Sequence, residues 1–362
     1  MKKIFLYAYD RNNLGDDLFV HMIANRYPDV TFYLWLSAEN RTSFSCLDNV
    51  VMLNPNPPWV GLLEKIRPSL ASKYKNRKEK ACNAVVYIGG SIFIEYENWK
   101  QILTWWGYEA LNRNFYVLGA NFGPYHSEEY RRSIAGIFKN MKDVCFRDKY
   151  SQSLFSDIKT VRCAPDILFS YPIEESASIE KKVFVSVIDC TTKDEGDNKL
   201  RSFAHSYIST IINFLKRFID GGYHVVLSSF CKVEGDENTV ELICSQIPPA
   251  MTAVVNYDGT NSQEVLQQIS ESSFIIASRF HAAILGFAAK KPVLPVIYSD
   301  KTIHVLDDVG FSGEFIDIRK SDQFDIGSLL ANPEKQRLAD VDKIKKQSDL
   351  HFLKLDQILE KD

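Results

Sequence analysis

The chain has 362 residues, enough for about two domains that each bury a core of their own. It is 45% hydrophobic and 25% charged, which argues against a disordered or fibrous chain and is typical of a globular protein. The formal net charge is -3 and no long basic run appears, so we expect no nucleic-acid partner.

The N-terminal stretch MKKIFLYAYD has two lysines before an apolar run, as a secretory signal does, but Asp10 interrupts the run and no small-residue cleavage site follows. We expect a first buried strand instead. No apolar segment approaches the about 20 residues that span a bilayer. The seven cysteines form no CxxC pair, and no histidines or carboxylates have metal-ligand spacing. We therefore expect a cytoplasmic protein without a disulfide framework and without a metal site.

Short apolar runs rich in β-branched and aromatic residues alternate with amphipathic stretches, the pattern of βα units around a parallel sheet. The strand candidates are KIFLYAY, TFYLWL, AVVYIGG, NFYVLGA, DVCFRD, KVFVSVID, YHVVLSSF, TAVVNY, SFIIASR and KPVLPVIY. The helix candidates are Asp16 to Tyr27, Ser127 to Asn140, Asn198 to Asp220 and Asn261 to Glu271.

An acidic, serine-rich stretch without periodicity follows two prolines near residues 171 to 181, which indicates a domain boundary. We predict an α/β protein with one Rossmann-like domain over 1–172 and a second over 181–332, facing each other across a cleft. The charged stretch 333–362 has apolar residues at helical spacing and predicts a C-terminal helix or helix pair.

Ligands of open α/β sheets bind beyond the carboxyl ends of the strands, so the residues that follow each apolar run are the informative ones. The first run ends in DRNNLGDDLF, where Gly15 permits a tight turn and Asp16 or Asp17 can cap a helix. The backbone N–H groups there suit an anion or a hydroxyl group. A capped turn that binds nothing remains an alternative.

Two later runs end in glycines that permit a ligand to approach the backbone or serve turns only. These are VVYIGGSIF, with Gly89, Gly90 and Ser91, and YVLGANFGPY, with Asn121 and Gly123. Neither is a GxGxxG fingerprint or a P-loop, so we expect no dinucleotide cofactor and no ATP-driven chemistry.

The segment SRFH places Arg279 and His281 between an apolar strand and an apolar helix. An arginine fork at a helix N-terminus can hold a phosphate or a carboxylate, and a histidine transfers protons near neutral pH. Alternatively, Arg279 pairs with an acidic residue and His281 caps the helix. The same two possibilities, ligand clamp or ion pair, apply to Arg147 beside Asp148.

Several segments taken together resemble the polysaccharide pyruvyl transferase family. They are NNLGDDL, YIGGSIF, LGANFGPY, CFRDKYSQSLF, CAPDILF and SRFHAAILGFAAKKPVLPVIYSDK, in family order from about residue 4 to about residue 310. The resemblance implies a GT-B-like pair of Rossmann-like domains, with the acceptor on the N-terminal side and the donor on the C-terminal side.

The resemblance implies transfer of the pyruvyl group of phosphoenolpyruvate, as a co-substrate and without a further cofactor, to a sugar of a cell-surface polysaccharide precursor, commonly as a ketal. The acceptor would be a sugar, an oligosaccharide or a lipid-linked saccharide, the last bringing peripheral contact with the inner face of the membrane. Oligomeric state is left open.

The family motifs assign roles to residues of this chain. Arg279 matches the arginine for the anionic groups of phosphoenolpyruvate, and His281 matches the histidine for general acid/base work. Arg147 and Lys301 become candidates for contacts with the pyruvyl donor, whereas Asn13, Asp16 and Asp17 would bind the acceptor or brace the first loop. The remaining predicted substrate contacts are Gly15, Gly89, Gly90, Ser91, Asn121, Gly123 and Ser278.

One departure from the family concerns the glycine segment, which is GGS where many members have a third glycine; this bears on the identity of the acceptor. Two other functions stay open. One is a glycosyltransferase that uses a nucleotide sugar, and the other is a non-catalytic binding protein of a polysaccharide locus.

Overall fold

A computed structural model describes residues 2–54, 78–174, 176–192, 200–320 and 332–359. The chain divides into two compact units. Unit 1 comprises Met1–Asp10, Asp16–Ile167 and Asp349–Asp362, and unit 2 comprises Arg11–Gly15 and Leu168–Ser348. The domains predicted from sequence, 1–172, 181–332 and 333–362, stay predictions.

Unit 1 contains a seven-stranded parallel sheet in the order β3-β2-β1-β4-β5-β6-β7. Its strands are β1 (Lys3–Tyr7), β2 (Thr31–Trp35), β3 (Val50–Leu53), β4 (Ala84–Ile88), β5 (Phe115–Ala120), β6 (Asp143–Phe146) and β7 (Val161–Cys163). The order reverses between β1 and β4, which makes their carboxyl ends the topological switch point where such sheets bind ligands.

Unit 2 contains a six-stranded parallel sheet in the order β10-β9-β8-β11-β12-β13. Its strands are β8 (Lys182–Ser186), β9 (His224–Ser228), β10 (Thr252–Val254), β11 (Phe274–Ala277), β12 (Val293–Ile297) and β13 (Ile316–Asp317). Numbered within the unit, this is the Rossmann order 3-2-1-4-5-6, with the switch point between β8 and β11.

Helices connect the strands. In the described part of unit 1 they are α1 (Leu14–Arg26, whose first two residues belong to unit 2), α2 (Trp99–Asn112), α3 (Glu128–Phe138) and α4 (Lys149–Ser153). In the described part of unit 2 they are α5 (Ala204–Asp220), α6 (Asp236–Cys244), α7 (Ser262–Glu271), α8 (Phe280–Ala288), α9 (Asp300–Asp308) and α10 (Val341–Ser348), and α11 (Leu353–Leu359) belongs to unit 1. No helix of the described ranges is long and apolar enough to cross a membrane.

These elements confirm the α/β fold with two parallel-sheet domains and a C-terminal helical segment. All ten predicted strands are present, and the predicted helices correspond to α1, α3, α5 and α7, although residues 198 and 199 of the third lie outside the described ranges. The runs were legible because strands buried on both faces of a parallel sheet are almost continuously apolar. Residues 360–362 of the predicted C-terminal helices also lie outside the description.

The C-terminal segment of unit 1 is held through Arg162 and His351. The Arg162 guanidinium forks onto Asp143, with both contacts at 2.7 Å, and also donates to the carbonyls of Leu350 and His351. His351 is fully buried, and its Nε2 lies 2.9 Å from the Pro165 carbonyl oxygen. Burial, helped by the nearby Arg162 charge, lowers the pKa of His351 to about 3.

We expect this histidine to make stability pH-dependent. The unfolded chain binds a proton at His351 below about pH 6.5 and the folded chain does not, so the free energy of unfolding falls as pH is lowered through this window. His351→Gln keeps an N–H for the Pro165 carbonyl but cannot titrate. Between pH 6.5 and 5, the variant should lose about 1.6 kcal/mol less than the unaltered protein in urea unfolding. Equal losses would show that His351 is not buried neutral.

Candidate active site

The SRFH segment forms the corner between β11 and α8 at the switch point of unit 2. The neighbouring strand β8 fixes its backbone, since Ser278 N–H donates to the Ser186 carbonyl at 3.0 Å and Arg279 N–H donates to the Ser186 hydroxyl at 3.2 Å. Arg279 is the N-cap residue of α8 with extended backbone angles. The sequence therefore presents Arg279 and His281 where a Rossmann-like sheet binds its ligand.

Two carboxylates bind the Arg279 guanidinium. Its Nε donates to Oδ2 of Asp236 at 2.6 Å, its Nη2 donates to Oδ1 of the same residue, and its Nη1 donates to Oε2 of Glu234 at 2.6 Å. Burial lowers the pKa of Arg279, but the charges of Asp236 and then Glu234 outweigh it and raise this pKa well above its ordinary value. The alternative that Arg279 pairs with acidic residues is thus confirmed.

This pairing has a consequence for anion binding. Arg279 is 6% exposed, and two of its five N–H groups have no partner within the described ranges. One guanidinium and two ionised carboxylates sum to a charge of -1, so a phosphate at Arg279 also meets like charges. Contact between Arg279 and the pyruvyl donor stays a prediction.

His281 occupies the first turn of α8, half-buried against the backbone of Gly15. A Cβ atom on Gly15 would lie 1.8 Å from Nδ1 and 2.3 Å from Cγ of His281, so no side chain other than hydrogen fits at position 15 beside this ring. The capping position belongs to Arg279, without a side-chain cap hydrogen bond. His281 is therefore not the N-cap residue of the helix.

The segment Arg11–Gly15 is fixed to the loop that follows β9. Leu14 N–H donates to the Phe230 carbonyl at 3.0 Å, and the Cys231 thiol donates to the Arg11 carbonyl at 3.5 Å. Burial, followed by the Glu234 charge, raises the pKa of Cys231 to about 12, so the thiol keeps this proton. Asn13 closes the turn by accepting Gly15 N–H on its side-chain oxygen at 3.2 Å.

Ser278 and Lys301 complete the predicted residues of unit 2. Ser278 is 2% exposed, and its hydroxyl accepts a hydrogen bond from Tyr207 at 2.8 Å. Lys301 is the second residue of α9 and is partly exposed. Contact of either with a substrate stays a prediction.

A second group of predicted residues gathers at the carboxyl ends of β4, β5 and β6 in unit 1. Arg147 donates to Asn121 at 2.8 Å and to Asp166 at 3.1 Å, and Ser91 donates to the same Asn121 oxygen at 3.2 Å. A Cβ atom on Gly90 would lie 2.6 Å from Nη2 of Arg147, so this glycine makes room for the guanidinium.

The other predicted residues of unit 1 surround this group. Gly89 directly follows β4, and the Gly123 carbonyl accepts a hydrogen bond from Asn121 at 3.4 Å. Asp16 and Asp17 lie in the first turn of α1, where the helix dipole favours negative charge. Burial and then the Asp16 carboxylate raise the pKa of Tyr87 in β4 to about 12. Asp17 is 2% exposed.

Sequence analysis missed Asp236 and Glu234. Both stand in CKVEGDENTVEL, where Gly235 adopts a left-handed φ of 80° between a short 3-10 helix and α6. An acidic pair around a glycine directly before a helix was the only available signal, and acidic residues in a first helical turn usually indicate capping.

Comparison with known proteins agrees with this architecture. The family described as polysaccharide pyruvyl transferase matches residues 13–300, most of the chain. The chain belongs to this family, and membership makes it a transferase acting on polysaccharide.

Solved structures show the same fold. Anabaena HepE in complex with UDP and glucose is 12% identical with a TM-score of 0.58, over 99% of this chain and 98% of HepE. S. aureus MnaA with UDP is 10% identical with a TM-score of 0.61, over 99% and 97%. A putative UDP-N-acetylglucosamine 2-epimerase from Listeria monocytogenes is 8% identical with a TM-score of 0.60, over 100% and 97%. These similarities confirm the GT-B-like fold and, at such identities, concern the fold alone.

Proposed function

We propose that this protein transfers the pyruvyl group of phosphoenolpyruvate to a sugar of a cell-surface polysaccharide or its precursor and forms a ketal. One observation carries the proposal beyond the family level. Residues of two family segments far apart in the chain meet in unit 2, where Gly15 of NNLGDDL lies against the ring of His281 of SRFH. Because Gly15 has no Cβ atom, the His281 imidazole can pack directly against its backbone. An acid/base group needs such a fixed position to act on a bound substrate.

The proposed reaction needs two proton transfers. One sugar hydroxyl adds to C2 of the enol while the methylene carbon gains a proton and becomes a methyl group. A second hydroxyl then displaces phosphate from the same carbon, and its proton leaves with the phosphate. The two C–O bonds formed replace the C=C π bond and the C–OP bond. An imidazole that is partly charged near neutral pH suits such transfers.

His281 is assigned to the proton transfer in this proposal. Arg279 and Lys301 of unit 2 are the cations proposed to contact the phosphate and carboxylate of phosphoenolpyruvate, with Ser278 and the N–H groups of the α8 N-terminus as neutral hydrogen-bonding groups. Contact of Arg147, in unit 1, with the donor stays a prediction from the resemblance.

The acceptor sugar is assigned to polar groups at strand ends, because hydroxyl groups call for side chains that both donate and accept hydrogen bonds. The proposed acceptor contacts are Asn13, Gly15, Asp16, Asp17, Gly89, Gly90, Ser91, Asn121 and Gly123. A cytoplasmic location, membrane contact through a lipid-linked acceptor and the absence of a metal or further cofactor stay predictions.

A thermal-shift comparison tests the choice of donor. A ligand that binds only the folded chain stabilises it by mass action, by about 2.7 kcal/mol at 100 times its Kd. Phosphoenolpyruvate should raise the unfolding temperature by several degrees, whereas pyruvate or inorganic phosphate alone at equal concentration should raise it less. Stabilisation by UDP-glucose or UDP-N-acetylglucosamine and not by phosphoenolpyruvate would contradict the proposal and favour a nucleotide-sugar glycosyltransferase.

A further inference from the structure

The Asp236 carboxylate, at the first residue of α6, joins two elements of unit 2. It is fully buried and accepts two hydrogen bonds from Arg279 and one each from Phe230 and Cys231. Oδ1 accepts from Nη2 of Arg279, and Oδ2 accepts from Nε of Arg279 at 2.6 Å and from the backbone N–H groups of Phe230 and Cys231, each at 3.2 Å. A buried carboxylate with this many N–H partners is firmly fixed.

Each of the two elements leads to His281. Arg279 precedes α8 and stands two residues before His281 in the chain. Phe230 and Cys231 hold the segment Arg11–Gly15 by their carbonyl and thiol, and the Gly15 backbone lies against the imidazole. Contacts therefore connect Asp236 to His281 by two routes. One route runs through Arg279 and the start of α8, and the other runs through the loop after β9 and the Arg11–Gly15 segment.

We propose that Asp236 is a positioning residue that sets the orientation of the His281 ring, by fixing the start of α8 and the Arg11–Gly15 segment to a single carboxylate. The expected effect on turnover rests on the proposed function. The expected effect on the orientation of the His281 imidazole does not. Asp236 itself does not touch substrate in this account.

The substitution Asp236→Asn removes the negative charge and one hydrogen-bond acceptor but keeps the size of the side chain. The amide has the same shape, and its oxygen can still accept at the Oδ2 site. Its NH₂ group would then face Nη2 of Arg279, so that two donors oppose each other where the carboxylate oxygen had accepted. Arg279 also loses one of the two carboxylate charges beside it. The route through Arg279 and α8 is therefore weakened, whereas the contacts of Phe230 and Cys231 can persist.

The test measures the environment of the His281 imidazole and the turnover rate separately. Protein labelled with ¹³C at histidine Cε1 gives signals from seven histidines, and the one missing in His281→Ala identifies His281. In Asp236→Asn we expect that signal to shift or broaden without substrate, and kcat for phosphate release to fall about 10²-fold because small misplacements of reacting groups are costly.

Asp143→Asn is the matched control. Asp143 is 1% exposed and is gripped by both Nε and Nη2 of Arg162, so the same kind of buried fork is disturbed in unit 1. It should lower the unfolding temperature and leave the His281 signal and kcat unchanged. If Asp236→Asn cannot be purified, Asp236→Glu, which keeps the charge and shifts the carboxylate by one methylene group, is measured with the same expectations.

An unchanged His281 signal in the folded Asp236 variant would overturn the positioning role whatever the activity. A shifted signal with an equal loss of kcat in Asp143→Asn would also overturn it, since the kinetic loss would then be structural. A shifted signal together with full turnover in His281→Ala would leave the positioning role standing and refute the proposed function.

Discussion

His281→Ala is expected to abolish phosphate release from phosphoenolpyruvate in the presence of the acceptor. General acid/base groups contribute about 10²- to 10⁴-fold to turnover, and the loss should appear in kcat because the imidazole acts on the reacting atoms. The substitution removes a half-buried ring from the first turn of α8, where Ala is a good helix former, so the fold should persist. Steady-state phosphate release and circular dichroism measure the two effects.

His205→Ala is the control for this experiment. His205 is an exposed residue of α5 in the same unit, outside the candidate site, and its removal should leave kcat unchanged. Turnover by His281→Ala within a factor of about three of the unaltered protein would refute the acid/base assignment. A protein without turnover in any form would instead favour the non-catalytic binding protein.

Gly15→Ala should be nearly as damaging, although it adds a single methyl group. That methyl carbon would lie 1.8 Å from Nδ1 of His281, well inside van der Waals contact, so the ring or the Arg11–Gly15 segment must move. The segment is tied by hydrogen bonds to Phe230 and Cys231, which makes displacement of the ring the easier response. We expect kcat to fall about 10²-fold, measured by phosphate release.

The same substitution at Gly136 provides the comparison. Gly136 lies in α3, and a Cβ atom there would have no neighbour within 4 Å, so Gly136→Ala should be neutral or stabilise the protein by up to about 1 kcal/mol. Wild-type turnover in Gly15→Ala would contradict the close packing of Gly15 on His281. A loss in both variants would indicate a general sensitivity to glycine replacement.

Most of the fold was predictable from the order of apolar runs, because strands buried on both faces of a parallel sheet are almost continuously apolar and can be recognised by composition. The strands that escaped prediction, β3, β7 and β13, have four, three and two residues. Shortness alone does not explain the omission, because β6 and β10 have four and three residues and were predicted. The alternating runs and the stretch near residues 171 to 181 predicted two Rossmann-like domains, and the resemblance added that the fold is GT-B-like.

The candidate site was predictable only in part. Strand ends identified Gly90, Arg147 and Arg279, since residues there converge in any open parallel sheet. The hydrogen-bond partners of these residues could not be predicted from the sequence. Asp236, for example, lies 43 positions from Arg279 in the chain, and only folding brings the two together. The sequence therefore left open whether Arg279 holds an anion or pairs with an acidic residue, and the structure surrounds it with two carboxylates.

Analysis of the reaction products distinguishes pyruvyl transfer from glycosyl transfer. The protein is incubated with phosphoenolpyruvate and a panel of acceptor sugars, free and lipid-linked, and both phosphate and the sugar product are measured. Pyruvyl transfer predicts that one acceptor gives one phosphate for each sugar that gains a pyruvyl ketal, recognised by a new methyl signal in its NMR spectrum. Release of UDP from nucleotide sugars, with no phosphate from phosphoenolpyruvate for any acceptor, would contradict it.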